Sequence, residues 1–153
     1  MNDLEVKDRH AQVLLVEDSL GDARLTQVAF HEADPSIQLH VASDGVEAMA
    51  YLRRVGARNL ALRPDLILLD LNLPRMDGCQ VLACIKEDAS LKSIPTVILT
   101  TSEAEADIAK SYQLQANCYL CKPVGLDAFE KLINNINDFW LKKAQLSTRR
   151  LIE

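Results

Sequence analysis

Glu17, Asp18, Asp70, Thr100 and Lys122 each stand at or just beyond the carboxyl end of a short apolar run. Carboxylates brought close together repel one another unless a cation lies between them. Hard oxygen ligands of this kind suit Mg²⁺ (or Mn²⁺), and Mg²⁺ keeps several waters and leaves room for a phosphate oxygen. Lys122 is a mobile point charge able to pair with an anion, and the Thr100 hydroxyl can donate a hydrogen bond to it. Cation, ammonium and hydroxyl together form an apparatus for stabilising charge on a phosphoryl group in flight. Asp70 is then the nucleophile, because a carboxylate accepts phosphorus as an acyl phosphate. One aspartate at a strand end is usually a turn or a cap. Four such positions in order along a sheet are hard to produce by chance.

The runs themselves are Ala11 to Val16, Ile37 to Ala42, Asp65 to Leu69, Thr96 to Leu99 and Asn117 to Leu120. They are short and apolar at both odd and even positions, which is the pattern of strands buried on both faces of a parallel sheet. Between them lie segments with helical spacing: Leu20, Ala23, Val28 and Phe30; Val46, Met49, Ala50 and Leu52; Val81, Leu82 and Ile85; and a more polar stretch, Glu103 to Gln115. The last stripe is the longest, from Leu126 through Phe129, Leu132, Ile133 and Ile136 to Phe139 and Trp140, and predicts an extended C-terminal helix. Ser19, Asp44, Asp77 and Ser102 stand where the first four helices need N-caps. Pro64, Pro95 and Pro123 fall near strand boundaries, where a missing N–H matters least. Five strands alternating with five helices give an α/β domain, and right-handed crossovers make it a doubly wound parallel sheet. Ligands of such a sheet bind beyond the carboxyl ends of the strands. If the first and third strands are neighbours, Asp18 and Asp70 lie roughly 5 Å apart. Gly56 to Pro64 forms a long connection, and Ala144 to Glu153 has no periodic partner.

The chain has 153 residues, 48% of them apolar and 25% charged, with a net charge of −5. These values fit one globular domain and exclude whole-chain disorder. No run of eighteen apolar residues is present, and the charged stretch Met1 to Gln12 lacks the apolar core of a signal peptide, so no membrane association and a cytoplasmic location are expected. Duplex binding needs a clustered basic face. The candidates, Arg53, Arg54, Arg58 and Arg63 and the sparse Lys142, Lys143, Arg149 and Arg150, read instead as solvated surface, so nucleic acid is not an expected partner. Cys118 and Cys121 form a C-x-x-C, but on a strand residues three apart point to opposite faces and cannot grip one ion. With Cys79 and Cys84 they read as four reduced packing cysteines.

The segments V-L-L-V-E-D-S at 13–19, L-I-L-L-D-L-N-L-P-R-M-D-G at 66–78, I-P-T-V-I-L-T-T-S at 94–102 and Y-L-C-K-P at 119–123 together resemble the receiver domain of two-component response regulators, over residues 11–142. The resemblance implies a flavodoxin-like (βα)5 sheet of strand order 2-1-3-4-5. It implies that Asp70 accepts phosphate from a phosphohistidine of a sensor histidine kinase. Asp18 and Asp70 would be direct Mg²⁺ ligands, Glu17 would act through water, and the Asn72 backbone carbonyl would supply another ligand. Thr100 and Lys122 would bind phosphoryl oxygens, and Asn72 and Ser102 would tune dephosphorylation. A cis bond between Lys122 and Pro123 is also implied. Phosphorylation adds about −1.5 to −2 charge beside Asp70. Thr100 is drawn toward it, Tyr119 rotates inward, and the surface of the fourth helix, fifth strand and fifth helix changes.

The long 56–64 connection, the N-C-Y run before Lys122 and N-D-F-W-L at 137–141 are similar to single-domain response regulators of cyanobacterial phytochromes. That likeness implies a phytochrome kinase as partner, with a downstream phosphotransfer or target protein beyond it. Phe139 and Trp140 either cover a symmetric partner in a homodimer or fold back onto their own sheet. Residues 1–10 and 143–153 are read as extensions too short for an output domain. Competing readings are a phospho-independent pseudo-receiver or interaction module, and a response regulator of a non-phytochrome histidine kinase. An aspartate-nucleophile phosphatase wants a second aspartate where Asn72 stands, and a nucleotide or flavin binder wants a Gly-rich loop where Glu17-Asp18-Ser19 stands. The chain is expected to be a phosphoacceptor signalling protein whose only chemistry is its own phosphorylation and dephosphorylation.

Overall fold

A computed structural model describes residues 10–55 and 62–143. Five parallel strands, β1 (Gln12–Val16), β2 (Gln38–Ala42), β3 (Leu66–Leu69), β4 (Thr96–Thr100) and β5 (Cys118–Cys121), form one sheet in the order β2-β1-β3-β4-β5. The helices between and after them are α1 (Leu20–Ala33), α2 (Gly45–Val55), α3 (Gly78–Glu87), α4 (Glu105–Gln113) and α5 (Leu126–Ile136). The three inner strands are buried at every position, whereas the edge strands β2 and β5 are half-exposed along most of their length. That difference explains why β1, β3 and β4 read as nearly continuous apolar runs.

Side chains alternate between two cores. Leu14, Val16, Ile67, Leu69 and Ile98 face α2 and α3, meeting Met49, Leu52, Val81, Leu82 and Ile85. Val13, Leu15, Leu66, Leu68, Val97 and Leu99 face α1 and α5, meeting Phe30, Phe129, Ile133 and Ile136. A slip of one residue in any inner strand would exchange these two sets, so the register is strongly specified.

Several expectations are corrected. Leu20, Val28 and Val46 are exposed; α1 buries the expected Ala23 and Phe30, and Thr26 and Ala29 besides. Ser19 and Asp77 cap α1 and α3, and the Asp44 carboxylate accepts the Glu47 N–H at 2.8 Å. Ser102 does not cap the fourth helix: α4 starts after Ala104, which has no capping side chain. Ser102 lies two residues earlier, with its hydroxyl bound to Asp107. Arg63 is not solvated surface. It is 2% exposed because its guanidinium bonds the Ser90 carbonyl and the Ser93 hydroxyl, joining the entry of β3 to the segment before β4. The C-terminal helix changes winding rather than continuing regularly: Asn137–Lys143 is π-helical. No cis peptide bond occurs among the described residues, so Lys122–Pro123 is trans, the intrinsically preferred isomer, from which Lys122 already reaches the acidic residues. All four cysteines are free, and Cys121 is exposed rather than packed. Arg58, Arg149 and Arg150, most of the 56–64 connection and the terminal extensions outside 10–143 lie outside the described residues.

Candidate functional site

The sheet register brings the polar strand ends together. Val16 pairs with Leu69 across β1 and β3, so the next residues, Glu17 and Asp70, emerge side by side. Their backbones are pinned, the Asp70 N–H donating to the Val16 carbonyl at 3.1 Å and the Glu17 N–H to that of Ala42 at 2.9 Å. Thr100 pairs with Cys121 across β4 and β5, and the Lys122 N–H donates to the Thr100 carbonyl at 2.7 Å. Carboxylate oxygens of Glu17, Asp18 and Asp70 lie within 4.8 Å of one another, as the strand spacing predicts. Glu17 and Asp70 are buried, and Asp18 is exposed.

Lys122 closes the cluster. Its ammonium contacts Glu17 directly, Asp70 at 3.2 Å and Asp22 at 3.1 Å. Burial pushes the Glu17 carboxyl up to about 7, although the hydrogen bond and charge of Lys122 pull it down and the charge of Asp70 adds to the rise. Burial opposes the charged form of Lys122 as well, but the hydrogen bond it donates to Glu17 and the Asp70 charge outweigh it and hold the ammonium above its ordinary range. The two shifts are compatible because one ammonium faces an excess of acids. The donor set therefore suits a hard divalent cation: clustered carboxylates short of positive charge.

Thr100 is fully buried, and its hydroxyl receives the Ser102 N–H at 3.5 Å. The Asn72 N–H donates to Asp70 Oδ1 at 3.3 Å, while its side chain is exposed. Tyr119 does not stand free in solvent: its ring packs against the α2/α3 core and its hydroxyl donates to the Ser102 carbonyl at 2.9 Å. Phe139 and Trp140 lie outside this cluster, touching edge-to-face at 5.1 Å. Trp140 packs against its own α1/α5 core, and Phe139 remains 56% exposed.

Asp22 is the acid at Lys122 that sequence reasoning missed. An acid in the first turn of a helix complements the macrodipole, and nothing in its spacing distinguishes it from that ordinary role. A groove of ≈ 360 Å³ opens beside Lys122, lined by Asp22, Leu25, Thr101, Pro123, Leu126 and Phe129. Among the described residues no helix is long and apolar enough to cross a membrane.

Residues 13–134 match the model of the response regulator receiver domain. Response regulator Rcp1 of Synechocystis sp. is 46% identical over 134 residues, covering 88% of this chain and 91% of the relative. The crystal structure of the phosphorylated cyanobacterial phytochrome response regulator RcpA is similar with a TM-score of 0.84 and 48% identity, over 90% of this chain and 99% of that one. The Mn²⁺-bound form of Rcp1 gives 0.80 and 46%, over 89% and 98%.

Proposed function

The chain belongs to the response-regulator receiver family, phosphoacceptor modules of two-component signalling, and on that premise we propose that Asp70 takes a phosphoryl group from the phosphohistidine of a sensor histidine kinase. The observation that carries this reading is the convergence of Glu17, Asp18 and Asp70 with the Lys122 ammonium at the strand ends. One Asp70 oxygen forms the new P–O bond as the P–N bond of phosphohistidine breaks. Lys122 and Thr100 bind the phosphoryl oxygens by charge and by hydrogen bond, supplying stabilisation that water would otherwise have to reorganise to give. Glu17, Asp18, Asp70 and the Asn72 carbonyl would hold Mg²⁺, or Mn²⁺ as in the relative Rcp1. Held there, the ion would supply charge neutralisation for the phosphoryl group. Thr100 and Tyr119 form the switch, and Asn72 and Ser102 tune hydrolysis.

The likeness to RcpA and Rcp1 supports a phytochrome as the kinase, in a cytoplasmic signalling role exercised through the surface of the domain at 11–142. The chain thus acts as a signalling protein rather than as an enzyme on a free substrate, and it passes its signal to a downstream protein. Labelled phosphate should pass from an autophosphorylated phytochrome kinase to this chain faster than from an unrelated histidine kinase. Equal rates would remove the phytochrome assignment, and no transfer from either would remove the phosphoacceptor reading. Phe139, exposed beside a packed Trp140, supports a homodimer through the C-terminal extension. Phe139→Ala should sediment as a monomer where wild type sediments as a dimer, and an unchanged species would remove that interface.

The raised Glu17 carboxyl makes cation binding pH-dependent, because a divalent ion and a proton compete for the same oxygens. Mg²⁺ affinity should fall by up to about tenfold per pH unit below pH 7. Stability of the metal-free protein runs the other way. The folded state binds the Glu17 proton more tightly than the unfolded chain, so this contribution is full below the ordinary 4.5 and is lost as pH rises through about 7. Thermal melts at pH 5 and pH 8 with and without Mg²⁺ check both signs. Equal Mg²⁺ stabilisation at the two values would contradict the assignment.

A further inference from the structure

α4 is the least deeply anchored helix of the described fold. Ser111 alone among its residues is fully buried, and the Ser111 hydroxyl is turned onto the Asp107 carbonyl at 2.8 Å. An element with so little buried apolar surface opens at low free energy, so its polar contacts decide where it sits. Those contacts converge on Tyr119. The Tyr119 backbone N–H points to the open edge of the sheet and donates to the Tyr112 hydroxyl at 3.1 Å. On an edge strand such a group is ordinarily left to water or to a strand of another molecule. At the other end of the residue, the Tyr119 phenol donates to the Ser102 carbonyl at 2.9 Å. The Ser102 hydroxyl in turn donates to the Asp107 carboxylate at 2.5 Å and accepts the Ala104 N–H at 3.3 Å. Tyr119 is gripped at its backbone and at its phenol, and both grips lead back to α4.

We propose that Tyr112 and Asp107 are positioning residues that lock Tyr119 in its docked position, so that α4 and Tyr119 move as one unit. The consequence for signalling rests on the reading of Tyr119 as the switch aromatic: this chain holds its switch docked through α4, and α4 cannot shift without uncovering the β5 edge. Cys121 adds a second donor to the Ser102 carbonyl, its thiol lying 3.4 Å from that oxygen.

The test uses 3-fluorotyrosine incorporated throughout. The chain has three tyrosines, and the Tyr119 ¹⁹F signal is assigned by its loss in Tyr119→Phe. Tyr112→Phe removes the acceptor oxygen and keeps the ring, and Asp107→Ala cuts the arm that leads through Ser102. In each variant the docked-to-undocked ratio of Tyr119 should fall about fivefold, the worth of one neutral hydrogen bond. The Tyr119 amide should also exchange with deuterium about fivefold faster in Tyr112→Phe. A Tyr119 signal and amide that stay as in wild type in both variants overturn the clamp. Phosphoryl uptake from an acyl phosphate with Mg²⁺ is followed in the same samples. Wild-type uptake with no change at Tyr119 overturns the clamp and leaves the receiver reading standing. A changed Tyr119 with no wild-type uptake supports the clamp and overturns that reading.

Discussion

Lys122→Met should weaken both the fold and the chemistry, because one ammonium serves several acids. Its side chain is 9% exposed, and those of Glu17 and Asp70 are 3% and 11% exposed. Removing one member of a buried ion pair leaves its partner charged in a poor solvent, a loss of about 3–5 kcal/mol. Asp22 adds little to this, since at 43% exposure water screens it. Glu17 can relieve part of the loss by taking up a proton, so the defect should be smaller at pH 5 than at pH 8. Phosphoryl uptake should slow by about 10²–10³, as when one preorganised charge-stabilising group is deleted. Urea unfolding in metal-free buffer and the rate of phosphoryl uptake measure the two effects. A variant as stable as wild type at pH 8 would show that Lys122 does not neutralise the cluster.

Gly78→Ala should be strongly disruptive, because its added methyl would press on the backbone that carries Asp70. A Cβ there would lie 2.2 Å from the Asp70 carbonyl oxygen and 2.6 Å from the Leu71 Cα. Both are backbone atoms, so neither a rotamer change nor a side-chain shift can relieve the overlap. The expected loss is about 3 kcal/mol or more, at the upper end for overpacking. Whatever relaxation follows must displace Asp70 itself, so phosphoryl uptake should drop as well. Gly21→Ala is the control: it lies on the exposed face of α1 with its nearest neighbour, Ser19 Oγ, 3.9 Å away. That change should stabilise by about 0.4–1 kcal/mol. If Gly78→Ala matched Gly21→Ala in urea midpoint and in uptake, the tight seat of α3 against the Asp70 backbone would be wrong.

The fold and the acidic cluster were legible for the same physical reason. Strands buried on both faces are apolar at most positions of both parities, so a charge such as Asp70 immediately after Leu69 marks both the end of a strand and a candidate site. Neighbouring parallel strands then fix the separation of their ends, which is why the Asp18–Asp70 spacing follows from topology alone. What stayed hidden depends on contacts between elements distant in sequence. Leu20 and Val28 look like core residues, yet beside Ala23 it is Thr26 and Ala29 that turn inward. Arg63 reads as one of a loose basic group until Ser90 and Ser93 are placed against it. Asp22 carries no distinguishing spacing, and Tyr112 meets Tyr119 only because α4 lies along the edge of β5. Ser102 reads as a cap by residue type, but its hydroxyl binds Asp107 and the helix begins beyond it.

The central claim is that Asp70 takes a phosphoryl group with help from a divalent cation and Lys122. Intact-mass measurement after incubation with Mg²⁺ and a small acyl or amido phosphate tests it most directly. Wild type should gain one phosphoryl group that is lost in alkali, and omission of Mg²⁺ should abolish most of the gain. Asp70→Asn should gain none while keeping the wild-type unfolding free energy to within about 1 kcal/mol, the usual worth of a single hydrogen bond. An alkali-stable phosphate on a serine or threonine, or an equal gain by Asp70→Asn, would contradict the account.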